Sequence, residues 1–133
     1  MQSIYIVGEP IMGEMMRVEQ ELLRGAGMLS VIKLLGQNEM YGYELAKTLD
    51  RQSEGVLAMG HSTLYPMLYN LESKKLIRPI RRRSQEGRMR KYYALTAEGR
   101  AWLEAREGQW TRLVKAMRRI GRGAEQVQAE GER

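Results

Sequence analysis

Cysteine is missing from this chain of 133 residues, which excludes disulfides and thiolate metal sites. With a single histidine, the sequence offers no nitrogen-rich metal cluster and no evident catalytic triad. No apolar run approaches the roughly 18 residues of a membrane-spanning helix, and no signal-peptide pattern precedes a cleavage site. We therefore expect a cytoplasmic protein that is not an enzyme, holds no metal or cofactor and has no membrane partner.

Excess positive charge is concentrated in one short stretch. The chain has 22 basic and 16 acidic residues, which gives a net charge of +6. Between Arg78 and Lys91 lie seven basic residues and one acidic residue, so this stretch carries +6 and the remainder sums to zero. A focused basic patch on an otherwise neutral chain indicates a polyanionic partner.

The segment from Gly60 to Thr96 predicts a short helix, a strand, an arginine-rich turn and a second strand. Leu64, Leu68 and Leu71 recur at the spacing of an apolar helical stripe. We expect Ser62 or Thr63 to cap this helix, which would place Pro66 at its third or fourth position. From Leu76 onward, short runs of β-branched and aromatic residues predict a hairpin, with Gly87 supplying the positive φ of its turn.

Two further helices are predicted before this segment. Apolar residues from Gly25 to Gln37 favour a first core helix, and Tyr41 to Arg51 favours a second, in which Gly42 permits close approach of helices. We expect Val56, Leu57 and Met59 in the connection Gln52 to Gly60 to tuck under the next helix. Helices followed by a basic hairpin are typical of a winged helix-turn-helix, which is a mainly α fold that reads DNA.

A long helix is predicted after the hairpin, with Thr96 as its cap. Its length is about 24 residues, more than a small winged domain can cover. An apolar seam along it most simply pairs with the same seam of a second copy. The residues of this predicted dimer interface are Leu103, Trp110, Leu113, Val114, Met117 and Ile120.

The chain divides by these patterns into four parts. Residues 1–20 form an N-terminal extension, helical in part, whose methionines within 10–23 favour packing against the dimer helix. Residues 21–95 form the winged helix domain, and residues 96–121 form the dimerisation helix. Residues 122–133 are polar and rich in glycine, which predicts a flexible tail.

Several motifs in this order resemble the PadR family of transcriptional regulators. They are Tyr41-Gly42-Tyr43-Glu44-Leu45, Ser62-Thr63-Leu64-Tyr65-Pro66, Leu71-Glu72, Leu76-Ile77 and Arg90-Lys91-Tyr92-Tyr93-Ala94-Leu95-Thr96 with Gly99. The resemblance covers about Glu21 to Met117. It implies a homodimer that binds a palindromic operator in double-stranded DNA and represses a nearby promoter. One departure is Lys75, where the family commonly has glycine before Leu-Ile.

Most residues expected to contact DNA come from the polar face of the third helix and from the hairpin. His61 precedes this helix, and its role is either a phosphate contact or that of a plain loop residue. Asn can pair with adenine in the major groove, while hydroxyl and cationic groups serve bases or phosphates. An arginine at the turn could enter a narrow minor groove. The set is Tyr41, His61, Ser62, Thr63, Tyr65, Pro66, Tyr69, Asn70, Lys74, Arg82, Arg83, Arg88, Arg90 and Lys91.

Trp110 has two interpretations. On the predicted seam it is an interface anchor. The resemblance adds a second role, because multidrug-responsive members of the family stack planar drugs between subunits on a tryptophan of the C-terminal helix. A small aromatic effector is therefore a further expected partner.

Two other classes of function compete with a DNA-binding regulator. A winged helix can also serve as a protein-interaction module, with the basic hairpin docked on an acidic partner. An enzyme acting on nucleic acid has little support, because the sequence shows neither an acidic metal cluster nor a nucleophile paired with a base.

Overall fold

The computed structural model describes residues 20–122. Apart from Gln20 and Arg122, the predicted N-terminal extension and the predicted tail lie outside the described residues. Within this range the chain forms four helices and three strands. In chain order they are α1 Gln20–Leu35, β1 Met40–Tyr41, α2 Gly42–Gln52, α3 His61–Ser73, β2 Ile77–Arg83, β3 Met89–Leu95 and α4 Ala97–Arg119.

One hydrophobic core joins all four helices to the sheet. Val31 and Ile32 of α1, Leu45 of α2 and Leu68 of α3 are fully enclosed. Burying such side chains stabilises the fold by about 1.5–3 kcal/mol each. The predicted helical stripe of α3 is confirmed, since Leu64 and Leu71 are also buried. No helix within residues 20–122 is long and apolar enough to cross a membrane.

Helix α1 is longer than the sequence patterns indicated. The first core helix was predicted over residues 25–37, but α1 runs from Gln20 to Leu35. Most of the helix suggested by residues 10–23 lies outside the described residues. Gly27 lies inside the helix and faces the side chains of Met59 and Met67. Its small size allows this close packing, which compensates for the low helix propensity of glycine.

Two predictions about the start of α3 were wrong. Gly60, rather than Ser62 or Thr63, is the N-cap, and its carbonyl accepts from the backbone N–H groups of Thr63 at 3.1 Å and Leu64 at 2.9 Å. Pro66 consequently occupies the sixth helical position instead of the third or fourth. Its ring leaves the Ser62 carbonyl without the usual helical donor, and Ser62 is on the exposed face, where water can replace that donor.

The connection before α3 is only partly buried. Met59 is in the core and Leu57 is half-buried, but Val56 is exposed, contrary to expectation. The N–H of Leu57 donates to Ser53 Oγ at 2.8 Å, which fixes the turn with Val56 on its outside.

The structure at the end of α3 explains how Lys75 can replace the glycine that the family commonly has. Lys75 adopts φ 63°, the left-handed conformation that favours glycine. The N–H of Leu76 donates to the Leu71 carbonyl at 3.0 Å, and that of Lys75 donates to the Glu72 carbonyl at 2.9 Å. These two bonds form a Schellman motif, so Lys75 ends the helix as glycine would, at some conformational cost.

The sheet has three antiparallel strands in the order β1-β3-β2. The hairpin was predicted, whereas β1 was not, because its two residues are too short for a periodic signal. We call residues 77–95 the wing. Its register pairs Arg82 with Arg90 and Arg81 with Lys91, and Gly87 has the predicted positive φ of 85°.

Helix α4 is joined to the wing by a tight contact. Thr96 Oγ1 accepts from the N–H of Gly99 at 2.9 Å, as a capping residue should. A Cβ atom at Gly99 would collide with the backbone oxygen of Leu76, so only glycine fits there. Leu103, one turn further on, is buried in the core of the same chain, which removes it from the predicted dimer interface.

Candidate nucleic-acid interface

The outward face of α3 and its C-cap carry five of the fourteen residues predicted to contact DNA. Ser62, Pro66, Tyr69, Asn70 and Lys74 are exposed, and Tyr69 is 75% accessible. A large aromatic side chain with so high an accessible fraction has no packing role within residues 20–122. The face therefore offers hydroxyl, amide and ammonium groups on a helix whose other side is fixed in the core.

Tyr65 and His61 form a separate pair at the start of α3. The Tyr65 ring packs against Gly42 of α2 so closely that a Cβ atom there would overlap the phenol oxygen. His61 stacks on the Tyr65 ring, with ring centroids 5.1 Å apart and planes 2° from parallel. The close approach predicted for Gly42 is confirmed, and Tyr65 has a packing role in addition to its 39% exposure.

Thr63 lies at the edge of this face and is half-buried. It lines a groove of about 470 Å³ between α3 and the start of α1, together with Leu23, Arg24 and Met67. Its hydroxyl is thus less accessible than that of Ser62.

One side of the wing faces the same way as α3. Residues paired across antiparallel strands share a face, and the face alternates along each strand. Tyr93 and Ile77 belong to the core, so Arg81, Arg83 and Lys91 lie on the same side as α3. Lys91 Nζ lies 3.4 Å from a Glu72 carboxylate oxygen of α3, which supports this assignment.

Tyr93 forms the base of this side. Lys91 Nζ lies 5.4 Å from the centre of its ring. Burial raises the pKa of the Tyr93 hydroxyl, and the nearby ammonium of Lys91 only partly offsets this. The phenol therefore stays neutral at physiological pH and adds no negative charge beside the wing cations.

The opposite side of the wing holds Arg82 and Arg90 in a stacked cluster. The guanidinium of Arg82 lies 4.0 Å from the Tyr92 ring centroid, and that of Arg90 lies 4.3 Å from the Tyr41 centroid. The two tyrosine rings meet edge to face at 5.3 Å. Arg82 also pairs with Glu39, while Arg90 lies 3.6 Å from Glu86. Both arginines are thus engaged within the chain.

The turn between the strands presents the remaining predicted cations. Arg88 is exposed and forms no ion pair with any residue from 20 to 122. Arg83 donates to the Gly87 carbonyl at 2.9 Å and is otherwise exposed. These two guanidinium groups are free to meet an anion at the tip of the wing.

The acidic partners of the wing were missed by sequence analysis. Counting charges within residues 78–91 finds Glu86 alone, whereas Glu39 and Glu72 come from other elements. Glu39 is 43 positions from Arg82, so only the pairing of β1 with β3 brings the two together. The sequence does contain a signal for the two sides of the wing. Side chains alternate between the faces of a strand every two residues, which separates Arg82 and Arg90 from Arg81 and Arg83.

Helix α4 exposes an apolar stripe beyond Leu103. Trp110, Leu113, Met117 and Ile120 are 40%, 50%, 64% and 79% exposed, and Val114 is half-buried. Trp102 packs against the core, and the guanidinium of Arg106 lies 4.4 Å from its ring centroid. The stripe is bordered by positive charge, because residues 109–122 contain five basic residues and no acidic one. The zero net charge of the chain outside residues 78–91 concealed this excess.

The described residues provide no alternative centre for metal chemistry. No group of three histidine, aspartate or glutamate side chains within residues 20–122 is placed to hold a metal ion.

Comparison with known proteins agrees with this geometry. A family model described as the transcriptional regulator PadR-like family matches residues 31–105. A Streptococcus transcriptional regulator of known structure is 35% identical, with a TM-score of 0.70 over 77% of this chain and 98% of that one. A PadR-like transcriptional regulator from Bacillus cereus is 27% identical, also with a TM-score of 0.70, over 76% and 96% of the two chains.

A curated relative, the Escherichia coli transcriptional regulator YqjI, is 33% identical over 76 residues, which are 57% of this chain and 35% of that protein. The family match covers more than half of the chain, and the solved relatives share its winged helix and its C-terminal helix. The protein is therefore a member of the PadR-like family of transcriptional regulators.

Proposed function

We propose that the protein is a cytoplasmic, homodimeric repressor that binds a palindromic operator. The observation that carries this proposal is the continuity of two surfaces, the outward face of α3 and the side of the wing that bears Arg81, Arg83 and Lys91. A polar helix face beside a row of cations fits base edges in a major groove and the phosphates next to it. Residues 21–95 form the DNA-binding unit and residues 96–121 join the subunits.

Each part of the surface has a distinct role in binding. Asn70 is the residue best suited to pair with an adenine, because its exposed amide can donate and accept together. Tyr69 projects furthest and contacts sugar or a thymine methyl group. Arg83 and Arg88 at the wing tip meet minor-groove phosphates. About four phosphate contacts per subunit give a dimer a log–log salt slope near −7.

The dimer forms through the exposed stripe of α4. Trp110, Leu113, Val114, Met117 and Ile120 present apolar surface along about 15 Å of helix. A stripe of this kind is covered most simply by a second copy of itself. Pairing the subunits in this way places the two α3 helices in successive major grooves, about 34–36 Å apart.

Trp110 is also the site at which an effector acts. Its ring is 40% exposed in one chain, so a planar aromatic cation can stack on it at the subunit interface. Binding there changes the separation of the two reading surfaces and relieves repression. Tryptophan fluorescence should be quenched by at least one member of a varied panel of flat aromatic cations; no quenching by any of them would reject this role.

Selection of bound duplexes from a random pool, followed by sequencing, tests the proposed function. We expect a palindrome with half-sites one helical turn apart. Equal and weak binding to every sequence would reject sequence-specific repression and favour a protein-interaction module. A single unrepeated site would reject the two-fold symmetric dimer.

A further inference from the structure

The outer side of the wing holds a continuous array of charged and aromatic groups. It runs from Glu39 to Arg82, then through the rings of Tyr92 and Tyr41 to Arg90, and ends at Glu86 in the turn. Each neighbouring pair is in direct contact. The array connects the tip of the wing to the start of β1 and so to α2, because Tyr41 is the N-cap of that helix.

Arg90 is the less exposed of the two arginines in this array. Its side chain is 24% exposed although it lies on a wing strand, and its Nε atom is buried without an acceptor among residues 20–122. A guanidinium covered in this way by the Tyr41 ring is poorly placed to meet a phosphate. Arg82 is more open, but one face of its guanidinium is against Tyr92 and its NH1 atom is paired with Glu39.

We infer that Arg82, Arg90 and Tyr41 are positioning residues, which set the angle of the wing relative to α3 and do not themselves contact DNA. Planar stacking is the property that matters. Arginine stacks on aromatic faces through its delocalised guanidinium, whereas lysine carries the same charge as a compact ammonium. The wing cations thus separate into a supporting side, with Arg82 and Arg90, and a contacting side, where Arg81 and Arg83 are exposed and Lys91 is paired with Glu72. This inference rests on the proposed DNA binding for its affinity measurements only.

The test compares Arg82 with its neighbour Arg83, which lies on the other side of the same strand. Arg82→Lys and Arg82→Gln should both weaken operator binding, by roughly three- to tenfold, because both lose the planar stacking on Tyr92. The salt slope should stay at the wild-type value in both variants, since no phosphate contact is lost. Arg90→Lys and Arg90→Gln should behave in the same way.

The matched substitutions at Arg83 have a different expected result. Arg83→Lys should bind like the wild type, because lysine can still neutralise a phosphate. Arg83→Gln should reduce the magnitude of the salt slope by about 1.8 in the dimer. Wild-type affinity in Arg82→Lys, together with a reduced slope in Arg82→Gln, would overturn the inference and make Arg82 a phosphate contact.

Hydrogen exchange of the free protein tests the array without DNA. Backbone amides at the ends of β2 and β3 should exchange at least three times faster in Arg82→Lys and in Tyr41→Leu than in the wild type. Tyr41→Phe keeps the ring and should exchange like the wild type. Unchanged exchange in both disruptive variants would overturn the inference. If the wild type bound no DNA, the proposed function would fail, while this measurement would still decide whether the array holds the wing.

Discussion

The wing and the last third of α4 have the same charge but different surroundings. Residues 78–91 have seven basic residues against one acidic residue, and residues 109–122, which we call the C-terminal basic stretch, have five against none. Wing cations touch tyrosines and carboxylates from β1, α3 and the turn. Cations of the C-terminal basic stretch border exposed Trp110, Leu113 and Met117 and form no ion pair within residues 20–122.

This difference leads us to propose different partners for two patches of the same sign. In the wing, we propose that the ordered array of Arg82 and Arg90 fixes the hairpin, so that the exposed guanidinium groups of Arg83 and Arg88 meet a polyanion in a set position. In the C-terminal basic stretch, the apolar stripe would provide the driving force for the proposed association of two copies, and the flanking cations would stay hydrated at the rim. The two regions should therefore respond differently to the same kind of substitution.

The largest expected effect comes from placing a charge in the apolar stripe. Leu113→Asp should convert the dimer to a monomer, because an unpaired carboxylate in the interface is costly to desolvate. Operator affinity should fall by about 100-fold or more, since each half-site is then bound singly. Sedimentation and operator titration measure the two consequences.

Thr111→Asp is the matched control for this change, because it adds the same charge to the same helix at an exposed position off the stripe. It should leave the dimer intact. A dimer that survived Leu113→Asp would show that α4 does not join the subunits through this stripe.

Removing cations from the two regions should separate their roles. Arg83→Gln with Arg88→Gln should bring the log–log salt slope of operator binding from about −7 to about −3.5, as four phosphate contacts are lost per dimer. Arg112→Gln with Lys115→Gln should leave the slope unchanged. Equal changes in the two double variants would mean that the C-terminal basic stretch also contacts DNA.

Two glycines of α4 distinguish the packed start of the helix from its exposed end. Gly99→Ala should destabilise the protein by about 2–4 kcal/mol, because the added methyl group meets the backbone of Leu76. Gly108→Ala should stabilise it by up to about 1 kcal/mol, since nothing lies within 4 Å of an added Cβ. Denaturant unfolding measures both, and a destabilising Gly108→Ala would contradict the exposure assigned to this part of α4.

The smallest expected effect is at the junction of α3 and the wing. Lys75→Gly should stabilise the protein by about 0.5–1 kcal/mol, because Lys75 has a positive φ of 63°. Lys74→Gly is the control, since the φ of Lys74 is −82° and glycine offers no such relief there. A loss of stability in Lys75→Gly, measured by urea unfolding, would show that the lysine side chain makes a favourable contact.

Much of the fold could be predicted from local patterns. The leucine stripe of α3 and the Gly87 turn follow from periodicity and from backbone sterics, and both agree with the structure. The first residues of the helices were harder to predict. Gly60 caps α3 without a side chain, so the usual signal from Ser62 or Thr63 pointed to the wrong residue.

The candidate site was predictable in composition but not in arrangement. The basic hairpin was evident from charge alone. Its division into two sides depends on register, and its carboxylate partners depend on tertiary contacts, such as that between Glu72 and Lys91. Similarly, the apolar pattern of the last helix placed Leu103 on the predicted dimer seam, although Leu103 packs beside Gly36 of α1 in the core of its own chain.

The spacing of half-sites tests the central claim most directly. The claim is that two copies, joined through α4, present two identical reading surfaces to one side of a duplex. Affinity should be greatest for half-sites separated by one helical turn, about 34–36 Å. Inserting five base pairs should reduce it to the affinity for a single half-site, because the second site then faces away. Equal affinity for the two duplexes would contradict the account.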